Sequence, residues 1–123
     1  MSDSNKTVLL VEDQPMLAMM TKMWLNDLGL NVVTSDNGLL AKQLLESQQF
    51  SFIVTDLVMP KLDGAGLLDW MQEEGITTPT IVVTGINNDE ELRKIRAVPF
   101  VKAVLEKPLT PDQLIEAQTL LNA

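Results

Sequence analysis

Asp56 closes an apolar run, Phe52-Ile53-Val54-Thr55, and is followed by Leu57-Val58-Met59-Pro60-Lys61-Leu62-Asp63-Gly64, which ends in turn formers. Three other short apolar runs end in groups able to do chemistry. Residues 8–11 lead into Glu12-Asp13, residues 80–83 into Thr84-Gly85, and Val104-Leu105 into Glu106-Lys107-Pro108. If these runs are neighbouring parallel strands, three carboxylates, a hydroxyl and an ammonium meet at one edge. Oxygen ligands of that kind suit a hard divalent cation such as Mg²⁺. A carboxylate beside a fixed positive charge suits acceptance of a phosphoryl group.

The bulk properties narrow the alternatives. A chain of 123 residues that is 46% hydrophobic and 21% charged can bury a real core, and fits a single domain over 1–123. A net charge of -8 argues against a nucleic-acid partner, which calls for a basic face, and against docking on anionic lipid. There is no cysteine and no histidine, so disulfides, thiol nucleophiles, a His-ligated zinc and a Ser–His–Asp triad are all excluded. The polar start, Met1-Ser2-Asp3-Ser4-Asn5-Lys6, lacks the apolar segment of a signal peptide, and no apolar run approaches membrane-spanning length. The expectation is a cytoplasmic protein.

To bring those groups together the chain needs alternating strands and helices, and its pattern supplies five such pairs. Residues 7–11, 30–34, 50–55, 79–83 and 101–105 read as strands, the second being weak and edge-like. Between the first two, residues 15–28 carry Leu17, Met20, Trp24 and Leu28 at helical spacing, with Pro15 in the first turn and Gly29 at the stop. Asp36 or Asn37 caps a second helix with Leu40, Leu44 and Leu45 facing inward. Residues 66–74 place Leu67, Leu68 and Met71 on one face. Asn88 or Asp89 caps a short charged helix over 90–96, which Pro99 ends. A last helix starts at Thr110-Pro111, with Leu114, Ile115, Leu120 and Leu121 as core candidates. The predicted fold is α/β, a doubly wound five-stranded parallel sheet with five helices, of the flavodoxin-like kind. Ligands of such sheets bind beyond the carboxyl ends of the strands, where the strand order reverses.

In order and spacing, nearly the whole chain resembles the receiver domain of two-component response regulators, the family that includes the chemotaxis regulator. Glu12-Asp13 resembles the family's acidic pair, Asp56 its phosphoacceptor, and Met59-Pro60 with Gly64 the loop that follows. Thr84 resembles its hydroxyl switch residue, and Lys107-Pro108 its lysine and proline, joined in the family by a cis peptide bond. The resemblance implies a phosphoacceptor that catalyses its own phosphorylation and dephosphorylation without being a conventional enzyme. It implies a sensor histidine kinase or histidine phosphotransfer protein as donor, met through the first helix, and output through contact with a further protein. Physical chemistry agrees with the assignments. Asp13, Asp56 and the Val58 backbone carbonyl supply direct oxygen ligands to Mg²⁺, with Glu12 acting through water. Lys107 offers a point charge and Thr84 a hydroxyl hydrogen bond to phosphoryl oxygens.

Taken singly, each of these residues has an ordinary reading: a solvated helix start, a turn residue, a strand exit, an exposed lysine. It is their ordered set that carries the assignment. The chain also departs from the family. Val104 stands where receivers commonly have Tyr or Phe, so the usual aromatic switch beside Thr84 is in question. Val58 and Ile86 flank the presumed site and predict a shielded, slow hydrolysis. Met16, Met19, Met20 and Met23 enrich the first helix beyond one inward stripe; Met16 and Met20 read as core, or all four as an adaptable docking surface. Other functions compete poorly. A haloacid-dehalogenase-type phosphatase needs a second Asp where Val58 stands, and a flavodoxin-like cofactor binder needs a phosphate loop after the first strand. A receiver-like adaptor that is never phosphorylated, or the excised receiver of a larger regulator, are the remaining alternatives.

Overall fold

The structure is a computed structural model that describes residues 6–58, 62–86 and 88–121, with residue 120 described in its backbone alone. Three expectations lie outside the described residues: the polar start over 1–5, Met59-Pro60 in the loop, and the Leu120 side chain.

Five short runs rich in Val, Ile, Leu and Thr form the strands: β1 (Thr7–Val11), β2 (Asn31–Ser35), β3 (Phe52–Asp56), β4 (Thr80–Thr84) and β5 (Val101–Glu106). They pair in parallel in the order β2-β1-β3-β4-β5. β3 and β4 are buried along their whole length, as expected of strands covered on both faces. β2 lies at one edge with exposed and half-buried residues, and β5 lies at the other. The register on β4 and β5 slips between Thr80 and Ile81.

Helices α1 (Pro15–Asp27), α2 (Gly38–Ser47), α3 (Gly64–Glu74), α4 (Asp89–Arg96) and α5 (Pro111–Leu121) connect and follow the strands. Four of them start on a capping side chain: Asn37, Asp63, Asn88 and Thr110 each accept a backbone N–H from the first turn. Asp63 and Gly64 start α3 two residues earlier than the predicted 66. α4 ends at Arg96, capped by Ala97, so it stops before Pro99 is reached.

The alternation of strand side chains splits the core in two. On one face Leu9, Val11, Ile53 and Val82 meet Ala41 of α2, Leu67, Leu68 and Met71 of α3, and Ile95 of α4. On the other, Val8, Leu10, Val54, Ile81 and Val83 meet Leu25 of α1 and Leu114 and Ala117 of α5. Three core expectations are corrected. Leu40 and Ile115 are exposed, and so is Met16 with the other α1 methionines. Of the predicted α1 stripe, Trp24 and Leu28 pack against the core beside the buried Thr21 and Leu25, Leu17 is half-buried, and Met20 is exposed. The apolar residues of α1 surround the helix, so periodicity alone does not define its buried side.

Candidate phosphoacceptor and metal site

The strand order reverses between β1 and β3, since β1 leads outward to β2 and β3 leads the other way to β4. Glu12-Asp13 leaves β1 at that crevice and Asp56 ends β3 beside it. Backbone hydrogen bonds fix the edge: Glu12 N–H donates to the Ser35 carbonyl at 2.9 Å, and Lys107 N–H to the Thr84 carbonyl at 2.9 Å. Thr55 Oγ1 donates to the Asp56 carbonyl at 2.9 Å. Beyond Asp56, Gly64 N–H donates to the Leu57 carbonyl at 2.9 Å. A Cβ on Gly64 would collide with the Asp56 backbone carbonyl, so only glycine lets α3 begin this close to the end of β3.

Asp56 is buried, only 5% exposed, yet both carboxylate oxygens are engaged. Its Oδ2 accepts a hydrogen bond from Lys107 Nζ at 2.7 Å, and its Oδ1 accepts one from Val58 N–H at 3.3 Å. Lys107 Nζ also lies 3.6 Å from Glu12 Oε1, while Glu12 Oε2 accepts from Gln14 N–H at 3.1 Å. Glu12, Asp13 and Asp56 each present a carboxylate oxygen within 4.8 Å of the other two. The Lys107–Pro108 peptide bond is cis. Thr84, ending the adjacent β4, is buried; its Oγ1 accepts the Ile86 N–H at 2.9 Å. That bond uses a lone pair and leaves the hydroxyl hydrogen for donation.

The electrostatics follow from three carboxylates gathered around one ammonium. Burial pushes the Glu12 carboxyl above its ordinary value; Asp56 and a hydrogen bond to Asp13 add to this, against the Gln14 N–H and the Lys107 charge. Burial alone would lower the Lys107 ammonium, but the hydrogen bond and charge of Asp56, with Glu12 behind, raise it on balance. A set of hard, anionic oxygens at this spacing fits a divalent cation of the Mg²⁺ type.

Glu12, Asp13, Asp56 and Lys107 therefore form one group, and Thr84 ends the neighbouring strand, joined to Lys107 through the backbone. Val58 and Ile86 do not form a symmetrical shield. Val58 is 64% exposed, whereas Ile86 is half-buried against the α2–α4 side of the core. Val104 is half-buried and lines a cavity of about 150 Å³ with Thr84, Ile86, Leu92 and Arg96. The sequence reading missed a second cavity, of about 380 Å³, that runs from Glu12, Asp56 and Lys107 between Leu17, Met20 and Trp24 of α1 and Leu109. Its signal is the apolar surplus of α1, which the sequence leaves open between core filling and a docking surface.

Known proteins share this fold. The model of the response regulator receiver domain matches residues 8–119. The chain is 28% identical over 113 residues to the autoinducer 1 sensor kinase/phosphatase LuxN of Vibrio campbellii, covering 92% of this chain but 13% of that protein's length. Among solved structures, the receiver domain of the Francisella response regulator 1452 is 27% identical, with a TM-score of 0.85 over 96% of this chain and 98% of that one. The receiver domain of a sensor histidine kinase from Pseudomonas aeruginosa PAO1, described with a magnesium ion coordinated in its active-site cleft, is 26% identical. Its TM-score is 0.83, over 97% of this chain and 99% of that one. With a family match over almost its full length and the acidic crevice in the family's place, the chain belongs to the response regulator receiver domains of two-component signalling.

Proposed function

We propose that Asp56 accepts a phosphoryl group from the phosphohistidine of a sensor histidine kinase or histidine phosphotransfer protein, in a Mg²⁺-dependent reaction. The observation that carries this reading is the buried Asp56 carboxylate, held at 2.7 Å by Lys107 within 4.8 Å of the Glu12 and Asp13 oxygens. A buried carboxylate oxygen attacks phosphorus as the bond from phosphorus to the donor's imidazole nitrogen breaks. The electron pair stays on that nitrogen, and an acyl phosphate forms on Asp56. Lys107 already faces Asp56, so its charge is in place to pair with the new phosphoryl oxygens. Thr84 has a hydroxyl hydrogen to donate to another of them, which makes it the residue through which the state of Asp56 is reported.

Asp13, Asp56 and the Val58 carbonyl are the groups that would hold Mg²⁺, with Glu12 acting through water. When bound, the ion would supply charge neutralisation for the phosphoryl oxygens. The same site would catalyse its own dephosphorylation, with Val58 and Ile86 governing the approach of water. The exposed apolar side of α1, continuous with the cavity beside Asp56, supports α1 as the surface that meets the donor. The chain works as one receiver over its length, in the cytoplasm, and passes its signal by contact with a further protein. Among the described residues no helix is long and apolar enough to cross a membrane, which is compatible with that location.

Intact-protein mass spectrometry after acetyl phosphate treatment, with and without Mg²⁺, tests the reading. The expected result is one phosphoryl adduct that requires Mg²⁺ and is absent from Asp56→Asn. No adduct under either condition would leave the fold in place and favour an adaptor that is never phosphorylated.

A further inference from the structure

The described residues contain five methionines, and four of them occupy the open side of one helix. Met16, Met19, Met23 and Met20 of α1 are 69%, 59%, 57% and 38% exposed, whereas Met71, in the α3 core, is fully buried. Their spacing of three, four and seven residues makes them neighbours on the helix surface. The chain has no cysteine, so no thiol competes with these thioethers for an oxidant. Met20 also lines the cavity shared by Glu12, Asp56 and Lys107.

We propose that the α1 methionines are a reversible oxidation site, modified by two-electron oxidants of the hypohalous acid or peroxide class. With a peroxide the sulfur lone pair attacks an oxygen, the O–O bond breaks and water leaves. With hypochlorous acid it attacks chlorine and hydroxide leaves; water then displaces chloride from the chlorosulfonium, losing two protons, one of which neutralises the hydroxide, and both routes give methionine sulfoxide. Return to the thioether takes two thiols, which become a disulfide, and the oxygen leaves as water. Each sulfoxide replaces a soft apolar surface by a strong hydrogen-bond acceptor. Four of them convert an apolar helix face into a polar one and place one sulfoxide in the wall of the cavity beside Asp56. Resting on the reading that α1 meets the phosphodonor, the consequence is a receiver disconnected from its protein donor under oxidative stress, with its acceptor chemistry intact.

The test treats the chain with increasing hypochlorous acid and maps oxygen addition by peptide mass spectrometry. Oxidation should follow exposure, with Met16, Met19 and Met23 first, Met20 next and Met71 about tenfold slower or more. A spared Met71 also reports that the core has stayed folded. Methionine sulfoxide reductases A and B with dithiothreitol should remove the added oxygen. Transfer from a phosphorylated histidine phosphotransfer domain, selected for activity on the untreated chain, should slow by about tenfold, the scale of one lost apolar anchor. Acetyl phosphate should label oxidised and untreated chains alike. In a variant with all four methionines replaced by Leu, α1 should gain no oxygen and the transfer rate, whatever its untreated value, should be the same before and after oxidant.

Met71 oxidising as fast as the α1 residues, sulfoxides that the reductases cannot remove, or unchanged transfer from the fully oxidised chain would each overturn the proposal. Failure of every donor on the untreated chain would instead reject transfer from a phosphohistidine, the reading on which the consequence rests, and the peptide map would still decide the oxidation site.

Discussion

Glu12 is a carboxyl whose ionisation the fold resists, because burial beside Asp56 and Asp13 raises it above the ordinary value of 4.5. A raised carboxyl contributes stability that is full below the unfolded value and is lost as pH rises through the folded one. Without metal, ionising Glu12 as pH rises above its ordinary value therefore weighs against the folded state. Glu12→Gln should melt higher than the parent at pH 7 in chelator, and the difference should vanish below about pH 4.5. Thermal melts across that range check it. Mg²⁺ acts in the opposite sense on the same group of residues: it should raise the melting temperature of the parent, and by less in Asp13→Asn and Asp56→Asn. At this scale the sequence was highly informative. Strand exits fixed where Glu12, Asp13, Asp56, Thr84 and Lys107 would be delivered, because a parallel sheet aligns the carboxyl ends of its strands. The exposure of Val58 was not legible, since an aliphatic residue beside a polar site carries no marker of which way it turns.

Among the elements, α3 is the one whose position the acceptor depends on. Gly64 starts it directly against the Asp56 carbonyl, and Gly38 of α2 packs as closely on the Leu62 carbonyl. Gly64→Ala has no room without moving the loop that follows Asp56, so it should cost about 2 kcal/mol or more and lower labelling by acetyl phosphate. Urea unfolding together with the labelling rate measures both effects. The Asn37 cap of α2 is a milder case: Asn37→Ala should cost about 1 kcal/mol and leave labelling unchanged. Caps and turn formers placed the helix starts to within two residues. In α1, Trp24 and Leu28 reach the core as expected and Met20 does not, because the apolar residues run round the helix and only the sheet beneath decides which of them are covered. Leu40 and Ile115 were misassigned for the same reason: a helix of ten or eleven residues on an open sheet buries a narrow stripe, and neighbours of that stripe stay in solvent.

For the whole molecule, one sheet serves two separate cores. Because β1, β3 and β4 contribute alternate residues to both, neither side is expected to unfold alone. Leu9→Ala on one side and Leu114→Ala on the other should each cost about 2–5 kcal/mol and shift the same single transition. Two separate transitions in denaturant would show that the faces are independent. The architecture itself was readable from the sequence, since five alternations of strand and helix with no long connection leave few arrangements that bury every apolar run.

The two faces also differ in a way that can be watched by light. The chain has two tryptophans and no tyrosine. Trp24 packs with the α1–α5 core and lines the cavity that reaches Asp56, whereas Trp70 sits on the α2–α4 side under the Lys42 ammonium, 5.4 Å from its ring. Each side of the sheet thus has its own fluorophore. With Trp70→Phe the emission reports the acceptor side, with Trp24→Phe the opposite one, and the pair turns the molecule into its own two-channel sensor of how far an event at Asp56 spreads.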